Sequence, residues 1–123
     1  MSKLFLTLGA LNAMLCVMLG AFGAHALKAR LGPELLATWH TAVQYHFFHA
    51  LGLLAVGMLL RQMPDARGVV WAGWLMLVGV LLFSGSLYAL CLSGIRTLGA
   101  ITPLGGVAFI AAWALLAWAT WRS

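Results

Sequence analysis

The side chains able to do chemistry crowd into one stretch, Trp39-His40-Thr41-Ala42-Val43-Gln44-Tyr45-His46-Phe47-Phe48-His49, which heads an otherwise apolar segment. Imidazoles titrate near neutrality, carry protons and bind metals. At about 100° per residue, Tyr45, His46 and His49 share one arc of a helix with Ala42, while Gln44 lies on another face with His40 and Phe48. His46 and His49 are three apart, a spacing that places two imidazoles on one ion. A metal site needs three or four ligands held by further carboxylates or carbonyls. No carboxylate lies within the apolar part of any run, and Cys16 and Cys91 are remote, with no CxxC spacing. His46 and His49 are therefore the only candidate ligands, and no bound metal is expected. Haem would need axial ligands on two facing helices, which one histidine-bearing helix does not supply. No cofactor is expected.

Two other chemistries can be weighed from the same residues. Catalysis needs a nucleophile, a base and a group that orients the base, or a pair of carboxylates. Neither set is present, so the chain is not expected to be an enzyme. Proton-coupled transport needs a titratable group inside the membrane. The small four-helix multidrug transporters have this length and topology but use a buried glutamate in the first helix. Here that helix offers Asn12, and His49 would have to serve instead. Asn12 is better read as an interhelical hydrogen-bonding group, and the two cysteines as small packing thiols.

The elements that position these groups are set by composition. Of 123 residues, 64% are hydrophobic and 7% are charged. A soluble domain carries roughly a quarter charged residues, so this chain cannot cover a water-exposed surface. The apolar residues fall into four runs, at about residues 4–24, 33–60, 69–92 and 98–121, and the spacing predicts a membrane helix in each. Residues 4–24 give about 32 Å of helix, matching a hydrocarbon core of about 30 Å. The fold class is all-α: an integral membrane four-helix bundle with short loops, a single four-span domain over residues 1–123. Lys3 and the small residues Ala21, Gly23 and Ala24 also resemble a signal peptide, but three further spans favour retention of this helix. Gly9, Ala13, Cys16 or Val17, Gly20 and Ala24 form a stripe of mostly small residues suited to close helix approach.

The loops are marked by breakers. Residues 25–32 read as a short interfacial connection, and Pro33 with Glu34 opens helix two. Trp39 and His40 are expected near headgroup depth. Met63-Pro64-Asp65 stops that helix. Trp71 and Trp74 at the start of the third run, and Trp113, Trp118 and Trp121 in the fourth, read as interface anchors. Ser84 and Tyr88 share a face of helix three, and that patch is expected to pair with the polar arc of helix two. Thr102-Pro103 signals either a start of helix four at Pro103 or a kink in a helix begun near Leu98.

The formal net charge is +5, but the basic residues stand singly at run ends, so nucleic acid is not an expected partner. Lys3, Arg61, Arg67 and Arg122 fall on the side of the N-terminus, against Lys28, Arg30 and Arg96 on the other. That balance favours both termini in the cytoplasm. The expected partners are the lipid bilayer and either a homo-oligomer or a larger membrane complex.

Four stretches taken together carry a resemblance: Gly20-Ala21-Phe22-Gly23-Ala24-His25, Gln44 to Ala50, Leu82-Phe83-Ser84-Gly85-Ser86-Leu87-Tyr88, and Ile101-Thr102-Pro103-Leu104-Gly105-Gly106. In this order they resemble the YgdD/YwdK family of small bacterial inner-membrane proteins, a domain-of-unknown-function family, over nearly the whole chain. The resemblance implies a multi-pass protein of the bacterial inner (cytoplasmic) membrane and leaves activity open. It implies a candidate polar cluster of His25, Tyr45, His49, Ser84, Ser86 and Thr102, which match the family motif. His46 departs from it, since glutamine or another residue is common there, and this weakens a paired-histidine metal site. The function expected is a structural or accessory membrane subunit with a polar interhelical cluster. The alternative is a small proton-coupled transporter or channel using His49.

Overall fold

Four helices long and apolar enough to cross a membrane make up the computed structural model, which describes residues 1–123 and contains no strand. They are α1 (Ser2–Leu27), α2 (Pro33–Gln62), α3 (Arg67–Ser93) and α4 (Arg96–Arg122). The connections, residues 28–32, 63–66 and 94–95, are so short that each helix runs antiparallel to the one before it.

The breakers act where their chemistry says. Gly32 is extended, and Pro33 takes the first turn of α2, where its missing N–H is no loss. Helix α2 ends at Met63, which is held out of the helical region by the following Pro64. Gly94 closes α3 in the left-handed region at φ 75°, and its N–H bonds the carbonyl of Leu90.

The first connection is shorter than residues 25–32. Helix α1 continues past Ala24 through one π turn, Gly23–Leu27, because nothing in Gly-Ala-His-Ala-Leu stops it before Gly32. His25 is thus a helical residue. Helix α4 opens with a 3-10 turn, Arg96–Ala100, and becomes α-helical from Thr102 with Pro103 in its first turn. The Thr-Pro pair therefore marks the start of the α-helical segment. A second π turn, Val80–Ser84, interrupts α3 midway.

Helices α2 and α3 are central, with 44% and 39% of their most apolar windows buried, against 17% and 22% for α1 and α4. Lipid is as apolar as leucine, so packing and hydrogen bonds rather than water exclusion hold such a bundle together. Close approach depends on glycine. A Cβ at Gly9 of α1 would stand 2.9 Å from the carbonyl oxygen of Ala50, and one at Gly57 of α2 would strike Leu6. From the small-residue stripe, Gly9 and Cys16 are buried, but Ala24 is exposed, and Gly23 instead packs against Trp39. One apolar cluster around Phe5, Leu53, Val56, Val69 and Met76 fills the end nearer the termini. A smaller one of Leu27, Trp39 and Cys91 fills the other end. A polar layer lies between them.

Candidate functional site

The polar layer can be built one ring at a time. Helix α2 carries His46 inward, between α1 and α3. Its Nε2 lies 2.8 Å from Asn12 Oδ1, and its Nδ1 lies 2.9 Å from the Tyr88 hydroxyl. Asn12 donates its amide to the carbonyl of Leu8 at 2.8 Å, which fixes the amide oxygen toward His46. A carboxamide oxygen only accepts. His46 Nε2–H therefore donates to it, and Nδ1 accepts from Tyr88. One neutral imidazole thus ties three helices together.

His49 lies one turn further along α2 and has the opposite tautomer. Its Nδ1–H donates to the Tyr45 carbonyl at 2.6 Å, and its Nε2 accepts from the Trp113 indole at 3.0 Å. The ring lies flat on Phe109, with centroids 3.5 Å apart and planes 9° apart. Neither imidazole keeps a free lone pair, and no three His, Cys, Asp or Glu side chains gather where they could share an ion.

Below and around these rings the remaining polar groups pair across helices. Ser84, aimed by the π turn, is fully buried and donates to the Ala42 carbonyl at 2.7 Å. The Ser86 and Thr102 hydroxyls meet at 2.6 Å, joining α3 to α4, while Ser86 also bonds the Phe83 carbonyl. Trp39 donates to the Leu19 carbonyl at 3.0 Å, and Cys91 points its thiol at the Leu35 carbonyl. No buried side-chain nitrogen or oxygen lacks a partner.

Of the six candidate cluster residues, the structure places Ser84, Ser86, Thr102 and His49 inside the bundle in three separate pairings. Tyr45 contributes its backbone carbonyl to His49, while its half-exposed ring packs against Phe83 and makes no hydrogen bond to the other candidates. His25 stands exposed on the π turn of α1, and no side-chain contact joins it to the others. His46, Asn12 and Tyr88 instead form the best-connected group. Trp39 is buried against Leu27 and Cys91. Trp113 is a hydrogen-bond donor to His49 rather than only an anchor. Its depth was the available signal, since it lies about 12 Å along the helix from Trp121, too far in for an interface belt. His40 and Gln44 are exposed on the outer face of α2, contrary to the rule that polar groups turn inward.

Between α2 and α4 the aromatic side chains hold the helices apart and leave a lateral groove of about 760 Å³. Tyr45, Phe48 and His49 line one wall, Phe83 the back, and Gly106, Phe109, Ile110 and Trp113 the other wall. Its volume lies within the roughly 300–1,000 Å³ of small-molecule sites. Lined almost wholly by rings, it suits a flat or chain-like apolar molecule reached from the bilayer. The Trp113→Phe variant keeps a smaller aromatic ring and removes the donor to His49. It is expected to lower stability by about 0.6–2 kcal/mol, read as an earlier thermal unfolding in detergent. Combining it with His49→Ala should add less than the sum of the two, because both break one bond.

The comparisons with known proteins agree with this architecture. The family described as "Protein of unknown function (DUF423)" matches residues 19–106. The chain is 54% identical over 114 residues to the UPF0382 membrane protein YwdK of Bacillus subtilis, covering 93% of each chain. It is 48% identical over 120 residues to the UPF0382 membrane protein SSP2132 of Staphylococcus saprophyticus, covering 98% of each. No solved structure matches it. With four apolar helices of spanning length and relatives of this kind, the chain belongs to the DUF423 family of UPF0382 multi-span membrane proteins.

Proposed function

We propose that this protein is a non-enzymatic structural or accessory subunit of the bacterial cytoplasmic membrane, with both termini in the cytoplasm, working as a homo-oligomer or within a larger membrane complex. One observation carries the reading: every buried polar side chain is committed to an interhelical or local hydrogen bond. Such groups set helix positions and leave none free to exchange protons or attack a substrate. The Gram-positive relatives are consistent with the cytoplasmic membrane. The test is affinity purification in a gentle detergent. A stoichiometric assembly, of itself or with a larger partner, is the expected result, and a lone monomer counts against it.

A second reading, a small proton-coupled transporter or channel using His49, rests on the position of that ring in the groove wall. Protein reconstituted in vesicles is expected to move neither protons nor a cation. Flux that disappears in His49→Ala would reverse the order of the two readings.

A further inference from the structure

We infer that α2 pairs with the α2 of a second copy, in parallel, through the outward face centred on Gln44. The inference rests on the oligomeric reading above and names its surface.

Helix α2 touches α1 through Val43 and Ala50, α3 through Ala42 and His46, and the groove through Tyr45 and His49. The arc left over holds Ala37, His40, Gln44, Phe47, Leu51 and Met58, all exposed. An exposed helical face repeats at such spacing by geometry alone, so the pattern is not the argument. The argument is the carboxamide. Glu34 and Arg61 are about 40 Å apart along α2. A hydrocarbon core about 30 Å thick fitted between those charges contains Gln44 at any setting of an upright helix. Its amide has no partner in the chain, and an amide facing lipid is unfavourable.

The occupant follows from symmetry. With both termini of every copy in the cytoplasm, as proposed above, the two-fold axis of a pair runs along the membrane normal. Residues at one depth then meet their own counterparts. A carboxamide carries both donor and acceptor, so two copies of Gln44 satisfy each other, as charged side chains could not. A polar residue at such a seam position also sets register in parallel helix pairs. Phe47, Leu51 and Met58 supply the apolar contact on the C-terminal side of Gln44, and Ala37 supplies it on the other.

The test uses the full chain in native membranes, with Cys16→Ala and Cys91→Ser removing the buried thiols. Single cysteines are placed at Leu51→Cys and Met58→Cys on this face, and at Val17→Cys on α1 and Ile110→Cys on α4. Mild oxidation is expected to give disulfide dimers at 51 and 58 and not at 17 or 110. Adding Gln44→Leu is expected to remove most of the dimer. It should leave the monomer folded, since that side chain holds no interaction within the chain. No dimer at 51 or 58, dimers at all four positions, or dimers indifferent to Gln44→Leu would overturn the proposal. If dimers are absent while a larger partner co-purifies, this interface falls and the accessory reading stands. If dimers form and vesicles conduct through His49, the interface stands and that reading falls.

Discussion

Gly105→Ala is expected to destabilise the bundle strongly, while Gly106→Ala, one residue on, is expected to be neutral or mildly stabilising. Both changes gain the same helix propensity, about 0.8–1 kcal/mol. They differ in what the new methyl meets. At Gly105 it would collide with the backbone nitrogen and Cβ of Phe83, whereas at Gly106 nothing lies within 4 Å. No rotamer moves a backbone nitrogen, so α3 and α4 must separate. That separation breaks the Ser86–Thr102 hydrogen bond and the contact of Gly79 with Phe109. Overpacking usually costs roughly 1–3 kcal/mol, and a clash with backbone belongs at or above the top of that range. Thermal unfolding of the two variants in one detergent decides it. Equal stability would mean that the α3–α4 crossing is looser than described.

The second large effect is at His46. His46→Leu leaves the Tyr88 hydroxyl and the Asn12 oxygen unpaired inside the bundle, a loss of about 2–4 kcal/mol at roughly 1–2 per orphaned group. Two further variants separate the cause from simple loss of volume. His46→Gln can donate to Asn12 and accept from Tyr88, so it should keep most of the stability. The triple change His46→Leu, Asn12→Leu, Tyr88→Phe removes the whole relay, and should recover much of what His46→Leu loses. Unfolding midpoints that fall stepwise with each added substitution would refute the relay.

Much of the fold can be read from residues alone because a bilayer constrains so tightly. The run lengths, Pro33 after Gly32, and Met63 before Pro64 place the ends of all four helices within about three residues. The pairing of the Ser84–Tyr88 patch with α2 follows from the need of both for partners, and the structure forms it through Ala42 and His46. Other features depend on tertiary contacts that no local pattern carries. The π turn at Val80–Ser84 leaves no mark in composition, yet it aims Ser84 at α2. The groove exists because the rings of His49, Phe109 and Trp113 prop α2 away from α4, which spacing along one helix does not reveal. The family motif includes His49 and not His46. The geometry makes His46 the better connected of the two, in a role that glutamine can also fill.

The relay through His46 also orders how the chain assembles in the bilayer. Helices enter the membrane from the N-terminus onward. Asn12 is present when His46 arrives, so the α1–α2 hairpin makes its first polar bond at once. Tyr88 follows some forty residues later, and Trp113, the partner of His49, comes last of all. A nascent hairpin therefore waits with two unsatisfied imidazole nitrogens until the second hairpin docks, and it depends on the insertion machinery or water for shelter meanwhile. Truncation after α2 should yield a fragment held by quality control rather than a stable half-protein.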